Sequence, residues 1–225
     1  MPATDCLAPS RARIPTPGAA PVRAARVRER NQALLLRAAE RVFARHGFAG
    51  ATVADIAREA DVPQANLHYY YRTKRDLYRA VLQNILALWL KETDAIVNDA
   101  NPSAAIEDYV RAKMRFSYDY PEASRVFANE VLHGAHELGG YLAGDLRTLV
   151  LAKSKIMRGW IQRGKMAPLD PTQLFFAIWA VTQTYADFSA QVEAVAGPSA
   201  RSAAGREHAT SSVVTLFLRA TGLAR

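Results

Sequence analysis

A chain of 225 residues, half of them hydrophobic by type, has enough material for one large or two small domains, each with a buried core. Its single cysteine, Cys6, cannot close an internal disulfide. No apolar run approaches the roughly 20 residues of a membrane span, and the N-terminus lacks the basic-then-apolar order of a signal peptide, so we expect a soluble, cytoplasmic protein. The net charge of +8 is unevenly placed: residues 1–91 carry 15 Lys and Arg against 7 Asp and Glu, while residues 92–225 carry 14 of each. A basic first third on a neutral remainder points to a polyanion-binding module on a body with another task; the plainer alternative is a solvated basic face.

Residues 1–26 mix Pro, Ala, Arg, Ser and Thr without periodicity and read as a disordered basic arm. Arg11, Arg13, Arg23, Arg26, Arg28 and Arg30 suit it either to DNA phosphates or simply to water. From about Val27 to Arg45 an amphipathic helix is expected, with Leu34, Leu35, Ala38, Ala39, Val42 and Phe43 at three- and four-residue steps. Gly47 stands where a helix ends. Thr52 is placed to cap the next helix, with Asp55 three residues on and Val53, Ile56 and Ala57 inward. A turn follows at Asp61-Val62, and Pro63 suits the first turn of another helix.

That helix is short and carries Gln64, Ala65, Asn66 and His68 outside, with Leu67 as its inward anchor. Small and amide side chains build poor cores. Gln and Asn, however, bond adenine edges, and Ala meets a thymine methyl. Two helices joined by a tight turn form a DNA-reading helix-turn-helix, although the same residues also describe the polar face of a surface helix. Among Tyr69, Tyr70 and Tyr71, one ring packs inward and another offers its hydroxyl to a phosphate. Thr73 caps the following helix, and Lys74 sits at its N-terminus, where free amides and the helix dipole attract anions.

Phe43, Gly47, Thr52, Ile56, Ala57, Val62, Leu67, Tyr69, Tyr70, Lys74 and Leu77 fall in the pattern of the TetR family of bacterial repressors, which residues 30–80 resemble. Arg72 departs from it, standing where many members have proline or a small residue. The resemblance implies an all-α homodimer: a three-helix DNA-binding domain (27–74) and a helical ligand-binding and dimerisation domain (75–225). It further implies that Thr52, Gln64, Ala65, Asn66, His68, Tyr69 and Lys74 face operator DNA.

The rest reads as helix throughout. A long helix is expected from Asp76 to Val97, with Leu77, Val81, Leu82, Ile85, Leu88 and Trp89 inward. Others follow at about 103–118, from Tyr120-Pro121 with Val126, Phe127 and Val131 on one face, from Tyr141 to Arg163, from Gln173 to Val195, and from Glu207 to Ala220. The last two are rich in apolar residues, as helices of a four-helix dimer interface often are.

Within residues 173–195, Trp179, Thr182 and Gln183 share a helical face, as do Gln183 and Asp187. A buried amide must find partners, because leaving it unpaired costs roughly 1–3 kcal/mol. A flat ligand with alternating donors and acceptors would supply them, stacked on Trp179 or Trp89. The alternative is a core helix in which Gln183 and Asp187 satisfy each other or nearby backbone. The segments IWAVTQTYADFSAQV, SYDYPEASRVFANE, KMAPLDP and LALWL closely resemble the RutR branch of the TetR family.

That likeness implies a pyrimidine sensor, uracil in particular, controlling pyrimidine degradation as a repressor. Uracil presents the acceptor–donor–acceptor edge O2, N3–H, O4, which an amide such as Gln183 matches at two positions, and Trp89 and Trp179 can sandwich the ring. Tyr185, Asp187, Arg111 and Lys113 are further candidates, with Glu107 one turn before Arg111 as its possible partner instead. The alternatives are a purine or other planar heterocycle, and a DNA-binding protein without a ligand. No phosphate loop, nucleophile elbow or Cys-based metal pattern appears. His133, His136 and Glu137 would need a third ligand supplied by the fold to hold zinc, so neither catalysis, metal nor cofactor is expected.

Overall fold

The computed structural model describes residues 19–224. The expected arm lies outside the described residues up to position 18, and from Ala19 onward the chain is already helical. Helix α1 (Ala19–Gly50) is interrupted at Gly47, whose φ of +64° is a conformation that a Cβ disfavours. It buries Leu35, Ala38, Ala39, Val42 and Phe43. Leu34, expected inward, is 56 % exposed, because it lies one residue, about 100° of helix, off the stripe that Leu35 begins.

Helix α2 (Val53–Glu59) is capped as expected: Thr52 Oγ1 accepts from the Asp55 amide at 3.0 Å and donates to its carboxylate at 2.6 Å. Asp61 takes a φ of +53°, and the Val62 amide reaches back to the Ala57 carbonyl at 3.1 Å. That closes the turn into α3 (Gln64–Tyr70). Pro63 stands at the cap position rather than inside the first turn. Helix α4 (Lys74–Lys91) opens with a reciprocal pair: the Asp76 amide donates to Thr73 Oγ1, and the Thr73 amide to the Asp76 carboxylate, each at 3.1 Å. It tightens into a 3-10 turn at Glu92–Ala95, short of the expected Val97.

Helix α5 (Pro102–Asp119) is capped by Asn101, and α6 (Pro121–Leu132) follows. A loop with positive φ at Gly134 and Ala135 leads to α7 (Gly139–Tyr141). This runs through a π-helical turn, Leu142–Leu146, into α8 (Arg147–Gln162). The single helix expected over 173–195 is two: α9 (Pro171–Asp187) and α10 (Ser189–Ala196), separated at Phe188, whose ψ of 31° leaves the helical range. A 3-10 turn, Pro198–Arg201, leads to α11 (Ala203–Ala220), which starts ahead of Glu207 because Ser202 caps it by accepting from the Gly205 amide.

Two apolar cores result. The first joins α1–α4 to Ala123 and Val126 of α6 and to Leu138. The second packs Ile96, α5, α8, α9 and α11 around Trp160, Phe175, Met114 and Met157. Helix α6 therefore belongs to the core of the N-terminal helices. Among the described residues there is no strand, and no helix is long and apolar enough to cross a membrane.

Candidate functional site

Two regions collect the residues singled out from the sequence. On the N-terminal face, Gln64, Ala65, Asn66, His68 and Tyr69 are all exposed along α3, while Leu67 is buried beneath them. Tyr69 is 72 % exposed, its ring against Tyr70 and within 5.9 Å of the Arg28 guanidinium from α1. Tyr71 turns inward enough for its hydroxyl to accept from Gln32 at 3.2 Å. The three tyrosines thus divide: Tyr69 is exposed, Tyr70 packs edge-on against it, and Tyr71 is anchored by Gln32. Arg41 and Arg45 of α1 hold Glu59 of α2, Arg41 at 2.6 Å, and their donors keep that carboxyl below its usual range. Their charge is spent on fastening α2.

Thr52 and Lys74 are engaged internally. The Thr52 hydroxyl caps α2. The Lys74 amine donates to the carbonyls of Phe48 at 2.7 Å and Ala51 at 2.9 Å, and lies over the Phe48 ring. A cation at the carbonyl end of α1 is favoured by the helix dipole. Lys74 thereby fastens the start of α4 to the loop beneath the helix-turn-helix, with its amine turned toward protein.

The second region is a cavity of about 310 Å³ walled by α4, α5, α6, the π-turn with α8, and α9. This is small among ligand pockets. Trp89, Trp179 and Gln183 line it together, as read from the sequence. Leu86, Leu90, Phe127, Val131, Leu142, Leu146, Leu149, Val150, Phe175 and Phe176 supply apolar wall. Trp89 meets Phe127 edge-on at 4.7 Å, and Trp179 packs between Phe175 and Phe176. The polar groups are few. Trp179 Nε1 donates to the buried Tyr109 hydroxyl at 2.7 Å. Burial pushes the Tyr109 hydroxyl pKa well up, so it stays protonated. The Lys113 amine lies 4.3 Å from the centre of the Trp89 ring. No hydrogen bond among the described residues engages the Gln183 amide.

Other candidates lie elsewhere. Arg111 faces away from the cavity and bridges Glu107 at 2.8 Å and Glu207 at 3.1 Å, tying α5 to α11. Tyr185 lines a different cleft, its ring 5.8 Å from Tyr118. Asp187 is half-buried and does not pair with Gln183; its carboxylate lies beside the Ser124 hydroxyl of α6, near enough for that group to favour the charged form. Burial raises the Asp187 pKa, opposed by Ser124, Arg125 and Lys113.

Tyr109, Phe127 and the π-turn leucines carried no distinguishing signal in the sequence. Lys113 did, since it falls on the buried stripe of α5 with Ile106, Tyr109, Val110 and Ser117, and lysine is seldom found at a buried position. Beside the first core, the Glu130 carboxylate accepts from the Tyr78 hydroxyl at 3.1 Å and the Glu137 amide at 2.6 Å. Glu137 in turn pairs with Arg75 at 3.2 Å and Arg79 at 2.5 Å. The histidine-rich segment thus serves an ion-pair junction, with His133 Nδ1 held 2.7 Å from the Asn129 carbonyl.

Known proteins share this arrangement. The profile of bacterial regulatory proteins of the tetR family matches residues 35–81, and that of the YcdC-like C-terminal region matches residues 82–224. The HTH-type transcriptional regulator RutR of Escherichia coli (strain K12) is 48% identical over 167 residues, covering 74% of this chain and 79% of that one. The HTH-type transcriptional repressor NicS of Pseudomonas putida is 28% identical over 134 residues, 55% of this chain and 63% of its own. A transcriptional regulator of Streptomyces coelicolor, SCO4942, superposes with a TM-score of 0.68 at 22% identity, over 86% of this chain and 99% of that one, a likeness of fold.

Proposed function

The chain belongs to the TetR family of transcriptional regulators and is RutR-like, and from that premise we propose that it is a homodimeric repressor of pyrimidine catabolism released from its operator by uracil or a closely related pyrimidine. One observation carries the ligand assignment: the Gln183 amide stands unbonded in a cavity whose walls include the faces of Trp89 and Trp179. An amide offers one donor and one acceptor side by side, the complement of O4 and N3–H of uracil. The Lys113 ammonium supplies a further donor for the remaining carbonyl, and the indoles suit a flat ring. The largely apolar wall suits a small planar ring with few polar groups.

On the DNA side, Gln64, Ala65, Asn66, His68 and Tyr69 would meet base edges and phosphates, two copies reading half-sites about one DNA turn, roughly 34 Å, apart. Thr52 and Lys74 would act through the α2 and α4 N-termini they organise. Helix α4 begins at Lys74, beneath the reader, and carries Trp89 into the cavity wall. A ligand that fits better in the conformation spreading the two heads shifts the population away from the DNA-competent form. Calorimetry tests this reading. Uracil should bind saturably and lose most of its affinity in Gln183→Ala. The absence of heat with uracil, thymine and dihydrouracil alike would sink the pyrimidine assignment.

A further inference from the structure

A second concave site lies apart from the tryptophan-walled cavity. This cleft of about 390 Å³ runs between the end of α5, the start of α6, α10 and the start of α11. Its chemistry differs from that of the first. Three arginines, Arg125, Arg201 and Arg206, line it, against one carboxylate, Glu193. Arg201 and Glu193 neutralise each other at 3.2 Å, which leaves two cationic side chains in surplus.

Both surplus arginines are half-buried, and neither closes an ion pair with a carboxylate among the described residues. The Arg206 guanidinium lies 5.1 Å from the centre of the Tyr118 ring. A guanidinium placed against a ring keeps its N–H donors for an acceptor. Tyr118 meets Tyr185 edge-on at 5.8 Å, so the same cleft offers aromatic surface beside the charge. Asp187, outside the lining, feels the charge of Arg125 without closing an ion pair with it.

Partly desolvated arginines without carboxylate partners, set beside aromatic rings in a concavity, are the recognition chemistry of an organic anion. We propose that this cleft is a second effector site, taking a planar small molecule that bears a carboxylate or a phosphate group, with the anion on Arg206 and Arg125 and the ring against Tyr118 and Tyr185. It is independent of what fills the first cavity.

The test is titration calorimetry on the full-length protein with two probes, orotate for the carboxylate and uridine 5′-monophosphate for the phosphate, with uncharged uridine as control. At least one anion should bind at up to millimolar concentration while uridine does not fill this cleft. Arg206→Gln and Arg125→Gln should each weaken that binding roughly tenfold or more, the loss of one charge-assisted hydrogen bond. Circular dichroism melts of the two variants establish that they fold as the parent does, and Arg206→Lys, which keeps the charge and loses the planar fork, should bind at an intermediate level. Absence of binding by both anions overturns the proposal. So does binding that both Gln variants leave intact, since the anions would then be resting on the basic N-terminal helices.

Discussion

Gln183 and Asp187 occupy adjacent turns of α9 and show how one helix serves two environments. The Gln183 amide is half-buried in the cavity with its hydrogen bonds unmade, and its truncation to Ala should cost ligand affinity of roughly 1–3 kcal/mol while leaving the fold intact. Asp187 is held where burial raises its pKa above the usual 3.8, against the pull of Ser124, Arg125 and Lys113. A carboxyl with a raised folded-state pKa binds more protons folded than unfolded, so stability falls as pH rises through the window from 3.8 up to the folded value. Asp187→Asn should therefore melt higher than the parent at neutral pH. The difference should shrink as pH falls into the ordinary aspartate range, as differential scanning calorimetry across that range will record. An equal gap at every pH would mean that the carboxylate is not the cause.

At the scale of elements, α4 is the member both regions share. Its N-terminus is fastened by Lys74 to the carbonyls of Phe48 and Ala51. Hydrogen bonds from a charged donor are worth on the order of 1.5–3 kcal/mol. Lys74→Met should accordingly lower the melting temperature and weaken operator binding together. If the amine acts on phosphate instead, gel shifts will show a smaller salt slope with unchanged stability.

One turn on, Arg75 and Arg79 grip Glu137 from the loop between α6 and α7. Both flanks of that loop reach the cavity, Phe127 and Val131 on one side and the π-turn leucines on the other. A π-turn at such a place is a common companion of function. Glu137→Gln should leave uracil binding by the free protein and DNA binding by the ligand-free protein within a few-fold of the parent. Its effect should be to shrink the loss of DNA affinity proposed for the uracil-bound parent, a coupling measurable by fluorescence anisotropy with and without ligand. An undiminished coupling would remove this ion pair from the link.

At the scale of the whole molecule, α9, α10 and α11 carry exposed apolar side chains, Phe176, Val195 and Leu216, with Phe188 exposed between α9 and α10, while Leu132 of α6 and Leu151 of α8 are exposed elsewhere. Ala177 and Ala180 lie open beside Phe176 along α9. Single exposed apolar residues mean little, but several on consecutive helices suit an isologous dimer. Leu216→Glu should shift the protein toward monomer in sedimentation velocity and weaken operator affinity, because two linked heads bind far better than one. Persistence of the dimer would move the interface elsewhere.

Much of this was legible without coordinates. The capping of α2, the exposed set on α3 around a buried Leu67 and the helical class follow from local chemistry, side-chain periodicity and cap residues; the pairing of Trp89 with Trp179 and Gln183 was implied by the resemblance to the RutR branch, since spacing alone left a plain core helix open. The structure alone decided which of those groups are free. Lys74 and Arg111 look available in the sequence, but one is committed to backbone carbonyls 23 to 26 positions away and the other to an acid on a distant helix. Tyr185 shares a helix with Gln183 yet lines another cleft, and Asp187 lines neither, because each residue of a helix is rotated about 100° from the last and only packing sets which face meets which neighbour. Tyr109, Lys113, Phe127 and the π-turn complete the cavity from four separate stretches of chain. Their convergence depends on long-range packing of α5, α6 and α8 against α9, which no local pattern encodes.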